Sequence, residues 1–184
     1  MNIFRVHDDA VISAQSLVDS HVNKMILESA QLLSTAHRVL DGTQTVIVRN
    51  GRKVKAWVLP DARQNILYSA THSNHPSAKW IRESDANYTW LALHYVALGE
   101  EYTYRYGKIH KSMSLLPVLQ NCPNNIAKTS ILTNMIPAMD PKYVVSQNVV
   151  ENYRNYYRTG KTHLFRWTKR NPPEWISLDT PRQV

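Results

Sequence analysis

A line of chemically able side chains runs at helical spacing through residues 20–41, SHVNKMILESAQLLSTAHRVLD. His21, Lys24, Glu28, Gln31, Thr35 and Arg38 follow one another at intervals of 3, 4, 3, 4 and 3, so they share one face of a helix. A carboxylate flanked by an ammonium and an imidazole suits general acid–base work. The carboxylate can take a proton from water or stabilise positive charge developing on a substrate, and its neighbours tune it. The same spacing also describes an ordinary solvent-facing stripe with a Lys24–Glu28 ion pair.

A second cluster lies in THSNHPSAKWIRES, residues 71–84. Pro76 disfavours helical backbone at His75, so Asn74–Ser77 must turn, with helix resuming over 77–83. His72 and His75 could ligate a metal if a carboxylate such as Glu28 joined them. However, the chain has no H-E-x-x-H, and its single Cys122 excludes both a cysteine zinc site and an internal disulfide framework. No metal is expected. Five glycines form no phosphate-cradling loop, which argues against P-loop and dinucleotide chemistry; no G-x-S-x-G elbow is present, and no cofactor is expected.

The elements that must position these groups read as mainly α, one helical domain over 1–184 with a small hairpin at about 45–58. Val18, Val22, Met25, Ile26, Leu32, Leu33 and Ala36 wrap the first long helix in core, leaving only the polar stripe. The chain enters that helix from Ile12, after a strand or extended lead-in at 1–6. Thr45–Val48 and Val54–Val58 flank Asn50-Gly51, a two-residue hairpin signal. Asp61 caps a helix continuing through 66–70. Further helices are expected over 85–106, stopped by Gly107, over 110–119, and over 144–158, stopped by Gly160. Residues 121–141, rich in Asn, Pro and Thr, read as a long loop of the kind that carries function.

The chain has 184 residues, 43% hydrophobic and 20% charged, which suits a globular core. No apolar run approaches the ~18 residues of a membrane span, and MNIFRVHDD lacks a signal peptide's basic and apolar regions, so a cytoplasmic location with no membrane partner is expected. Formal net charge is +8 and unevenly spread. Neither 102–139 nor 153–173 contains an acid, while both carry several Lys and Arg. Base without acid is the footprint of a polyphosphate partner. Tyr153, Tyr156, Tyr157 and Trp167, interleaved with Arg154, Arg158 and Arg166, suit phosphate contact plus base stacking, or a helical core with a solvated basic face.

The segments KMILESAQLLSTAH, NHPSAKWIRES-x-x-NYTWL, EYTYRYGKIHK, YRNYY-x-x-GK and PPEWI together resemble a family of small proteins common in tailed bacteriophages. The likeness covers nearly the whole chain after residue 20. It implies DNA glycosylases that excise modified pyrimidines from phage DNA, some bacterial relatives of which serve in anti-phage defence. LVDSHVNKMILES is also similar to the first helix of viral pyrimidine-dimer glycosylases, in which a His precedes the catalytic Glu by seven residues. The matching positions are His21 and Glu28. Those enzymes attack with the α-amine of an exposed Thr. Here Asn2 follows Met1, a departure that points to hydrolysis of the glycosidic bond without strand cleavage.

The resemblance and the residues together give a concrete expectation. Glu28 is the catalytic carboxylate, tuned by His21 and Lys24, and His75 or His72 protonates the departing base. Gln31, Asn74, Trp80, Arg82 and Tyr88 line the pocket for a flipped base. Arg52, Lys53, Arg105, Lys108, Lys111, Arg154, Arg158, Lys161 and Arg166 contact DNA, the only partner inferred. The alternatives are a basic DNA- or RNA-binding phage protein without catalysis, and a metal-dependent nuclease built on His72 and His75.

Overall fold

The computed structural model describes residues 1–176, a mainly α domain with one small antiparallel sheet. Helix α1 (Ala10–Gln15) starts at Asp9, whose side chain accepts from the Val11 and Ile12 amides. Helix α2 (Asp19–Asp41) is the axle of the fold. Strands β1 (Thr43–Arg49) and β2 (Arg52–Val58) follow, then the short α3 (Arg63–Ile66), α4 (Pro76–Glu83) and the long α5 (Asp85–Tyr106). A 3-10 turn at Lys111–Leu115 leads into α6 (Leu116–Leu119), and α7 (Val149–Gly160) closes the series. The core lies where α4 and α5 pack on α2, with α1 packed against α5. Tyr153 and Tyr157 seal it from the α7 side.

Helix α5 has the bounds expected from sequence. Ser84 Oγ accepts the Asn87 amide at its start, and Gly107 takes the left-handed conformation at φ 66° at its end. Asn50 and Gly51 likewise take positive φ, as the hairpin turn requires.

Four boundaries differ from expectation, and long-range contacts cause most of the differences. The first helix is broken at Ser16–Val18. There Arg105 draws out the carbonyls of Gln15 and Leu17, Trp167 Nε1 takes that of Ser16, and the Asp19 amide donates to Arg166. Residues 67–70 are not helical, because the buried Arg38 takes the Gln64, Leu67 and Tyr68 carbonyls. Helix α7 begins at 149 rather than 144: Asn148 caps it, and Asn152 Oδ1 holds the Val145 and Ser146 amides in a turn. Gly160 is the last helical residue, with Lys161 following as the cap. Residues 1–6 form no strand; the Arg5 and Val6 amides close tight turns onto the Ile3 and Phe4 carbonyls.

The long loop after α6 is irregular, as expected, and is pinned to the ends of α4 and α5. The Asp85 amide donates to Ala127, Ser84 Oγ donates to Ile131, and the Asn87 side chain grips Thr133 at both ends.

Candidate functional site

The polar stripe of α2 is neither a solvent face nor an open row of active groups. Lys24 is exposed and Gln31 half-buried, while His21, Glu28, Thr35 and Arg38 are buried. Each buried member fastens a different part of the chain. Thr35 Oγ1 accepts the Thr71 amide, and Arg38 places five hydrogen bonds on carbonyl oxygens of residues 57–68. His21 bonds the Tyr157 hydroxyl at 2.6 Å and stacks on Phe4.

Glu28 receives the N-terminal segment. Its Oε2 accepts the Asn2 backbone N–H at 2.7 Å, and the Met1 nitrogen stands 4.0 Å from the same oxygen. Oε1 faces Lys24 Nζ at 3.4 Å. Asn2 is itself locked: its Oδ1 accepts the Tyr153 hydroxyl at 2.6 Å and the Ile3 amide at 2.8 Å, and its Nδ2 donates to Ala138. The carboxylate therefore has a fixed orientation at the edge of the core, with one oxygen toward an amide and the other toward an exposed ammonium. Asn2 and Tyr153 were not expected in this role. They lie 26 and 125 positions from Glu28, beyond any helical period.

The turn before α4 comes to the same place. His75 is the N-cap of α4, its Nδ1 accepting the Ser77 amide at 3.2 Å. With Nδ1 an acceptor, the neutral ring carries its proton on Nε2, free to donate. Burial holds the His75 pKa below the usual imidazole value. The Met1 amine and His72 push it the same way, and Glu28 opposes them, so all four groups share one electrostatic neighbourhood. His72 is exposed at φ 49°, its Nδ1 2.7 Å from Thr71 Oγ1, and Asn74 is exposed beside it. Arg82 Nη2 donates to the Ser73 carbonyl at 2.7 Å and so braces this turn.

Several expected site residues lie elsewhere. His21 does not tune Glu28: burial and nearby cations push its pKa down to about 3, leaving a neutral ring wedged between Phe4 and Tyr157. Tyr88 is fully buried, bonded to His37 and the Leu119 carbonyl, and walls no opening. Trp80 is buried too, its Nε1 donating to the Thr133 carbonyl. Arg105 cannot meet a phosphate. Its side chain has no exposed surface and is saturated by Glu101 at 2.7 Å, Asp19 at 2.9 Å and two carbonyls. Tyr153 and Tyr157 are core, not stacking platforms.

The basic residues divide into two groups. Arg154, Arg158 and Lys161 are half-buried and occupied: Arg154 Nε donates to Val6 and lies over Trp175, Arg158 donates to Trp175, and Lys161 lies over the Tyr156 ring. Arg52, Lys53, Lys108, Lys111 and Arg166 are exposed; the first four are available to a polyanion, while Arg166 is paired with Asp19 at 3.4 Å. Two of these, Lys108 and Arg166, border the larger cavity, about 660 Å³, beside Tyr102, Tyr106 and Phe165. A smaller one of about 330 Å³ lies between Arg5, Asp8 and Gln147. Neither is lined by Glu28 or His75. Among the described residues, no three His, Cys, Asp or Glu side chains are placed to hold a metal ion.

The geometry around His75 carries its own prediction. Asn caps helices well but has no titratable proton. His75→Asn should therefore melt like the parent protein, while any reaction step that relies on the Nε2–H donor should slow by at least ~100-fold, the lower end of what a positioned donor contributes. His75→Ala should also lose about 1 kcal/mol of stability through the missing cap. Full activity in His75→Asn would make His75 a cap and nothing more. The chain matches no protein-family model, no curated protein and no solved structure.

Proposed function

We propose that this protein is a DNA glycosylase that hydrolyses the N-glycosidic bond of a modified pyrimidine flipped from the duplex. One observation carries the reading: Glu28 is a nearly buried carboxylate, fixed by the Asn2 amide and facing the same neighbourhood as the free Nε2–H of His75. As the bond from C1′ to the base breaks, positive charge grows on the sugar. Glu28 stabilises that charge or takes a proton from the attacking water, whose oxygen forms the new bond to C1′. His75, neutral with Nδ1 occupied, donates an Nε2–H hydrogen bond that stabilises the negative charge growing on the departing base, which takes its proton from solvent. The exposed cations hold the phosphates.

The test is incubation with hydroxymethylated or glucosylated phage DNA in the presence of EDTA. Alkali-labile abasic sites support the reading, and nicks seen only when metal is restored point to a nuclease. Borohydride trapping distinguishes water from an amine as the attacking group. Non-catalytic DNA binding is favoured by the fact that neither cavity includes Glu28 or His75. A mobility shift without base release selects it.

A further inference from the structure

The hairpin 43–58 stands apart from the rest of the chain. All seven residues of β1 are exposed, as are five of the seven in β2, so neither face is covered by another element. It carries Arg49, Arg52, Lys53 and Lys55 and no acid, and none of the four joins an ion pair among the described residues. The register sets Arg49 directly opposite Arg52, with Ile47 opposite Val54 behind them on the same face. The other face sets Val46 opposite Lys55 and Val48 opposite Lys53. Val46 is 60% exposed and Val48 70%.

This is a costly composition for an ornament. A two-stranded hairpin is marginally stable in water, and like charges directly opposite weaken it further. Protection of a sheet edge accounts for lysines along the strands. It does not account for paired arginines at the tip, nor for five exposed residues, Val46, Ile47, Val48, Val54 and Val58, that invite the very association edge charges prevent. A polyanion with an apolar floor resolves both: phosphates relieve the repulsion among the cations, and base methyl groups and edges receive the aliphatic side chains. The major groove offers that surface and is wide enough for a two-stranded ribbon. Seven residues of strand reach about 23 Å, long enough to cross it.

We infer that hairpin 43–58 is a ribbon arm that enters the major groove of duplex DNA. Its four cations meet phosphates and base edges, and Val46 and Val48 lie against the groove floor. The inference rests on the DNA reading above but not on catalysis, and it assigns the arm a role in holding the duplex rather than in the reaction.

The experiment measures affinity of the full chain for a duplex oligonucleotide across a salt series. In the Arg49→Gln, Arg52→Gln, Lys53→Gln, Lys55→Gln variant, the slope of log K against log salt should fall by about 3 to 4, near 0.9 per lost phosphate contact. Val46→Thr with Val48→Thr should weaken binding with the slope unchanged. Methyl green, a major-groove ligand, should displace the protein, and the minor-groove ligand netropsin should not. The arm hardly touches the core, so every variant should keep the parent's melting temperature. An unchanged slope in the quadruple variant overturns the inference. So does displacement by netropsin alone, or binding of the arm to vesicles of anionic lipid in preference to duplex. Absence of base release by the parent protein removes the glycosylase reading and leaves the slope test to decide the arm.

Discussion

Glu28→Gln is expected to slow single-turnover base release by at least ~100-fold while leaving fold and DNA binding in place. Gln keeps the shape of Glu, and its amide oxygen can still accept the Asn2 N–H now held at 2.7 Å. The lost charge partners are the exposed Lys24 at 3.4 Å and the Met1 amine at 4.0 Å, so the stability cost should be about 1–2 kcal/mol, a little above that of a single surface ion pair. The charge that opposes the growing cation on the sugar disappears, and so does the base that could activate water. Removing a negative charge from a surface that meets phosphates should tighten DNA binding slightly. Glu28→Asp, with the carboxylate drawn back by one methylene, should fall between the two. The measurement is base release on hydroxymethylated phage DNA with enzyme in excess. Near-normal release by Glu28→Gln would make the carboxylate a tether for the N-terminal segment. The remaining candidate would then be Glu83, since Glu101 is buried and saturated by Arg105 and Arg170.

What the sequence made legible divides along the range of the forces involved. Helix α5 needed only Ser84, its apolar periodicity and Gly107, and the hairpin needed only Asn50-Gly51 between β-branched runs. Those signals act over a few residues. The breaks around Ser16 and after Ile66 are made by Arg105, Trp167 and Arg38 reaching for carbonyls up to 151 residues away, and no local pattern records them. The site follows the same division. Periodicity placed Glu28 and Lys24 side by side, and the Pro76 turn gave His75. The polar stripe did not reveal that His21 and Arg38 face inward, because the N-terminal segment, α7 and residues 57–71 cover them. Nor did the interleaving of Tyr and Arg along α7 reveal that two of its tyrosines close the core.

The same inward-facing histidines should make the protein acid-labile well before its carboxylates are protonated. Burial pushes the pKa of His21 down to about 3, and those of His37 and His94 down to about 4. The bonding explains why each ring stays neutral. His37 Nδ1 accepts from Arg63 Nη1, so a proton there would face an arginine. His94 Nδ1 donates to the Ala10 carbonyl, and its Nε2 is buried without a partner against the stacked Trp90. The sign follows directly. Folded-state values lie below the unfolded value near 6.5, so the unfolded chain binds more protons as pH falls, and stability drops from about pH 6.5 until the folded values are reached near 4. Each histidine should cost about 2 kcal/mol at pH 5, and the three together about 6 kcal/mol, against a typical total stability of 5–15 kcal/mol. His75 and His110, also lowered by burial, add in the same direction. Asp19 and Asp41 are held below their ordinary 3.8, so the stability they contribute is lost only under more acid conditions and does not blur this window. Urea unfolding at intervals between pH 7 and 4.5 should show stability falling with an uptake of about three protons near pH 5. His94→Gln, which can keep the bond to Ala10, should reduce that uptake by about one. A stability flat across pH 5 to 6.5 would mean that these rings are charged within the fold, and that the neutral hydrogen-bond assignments at His37 and His94 are wrong.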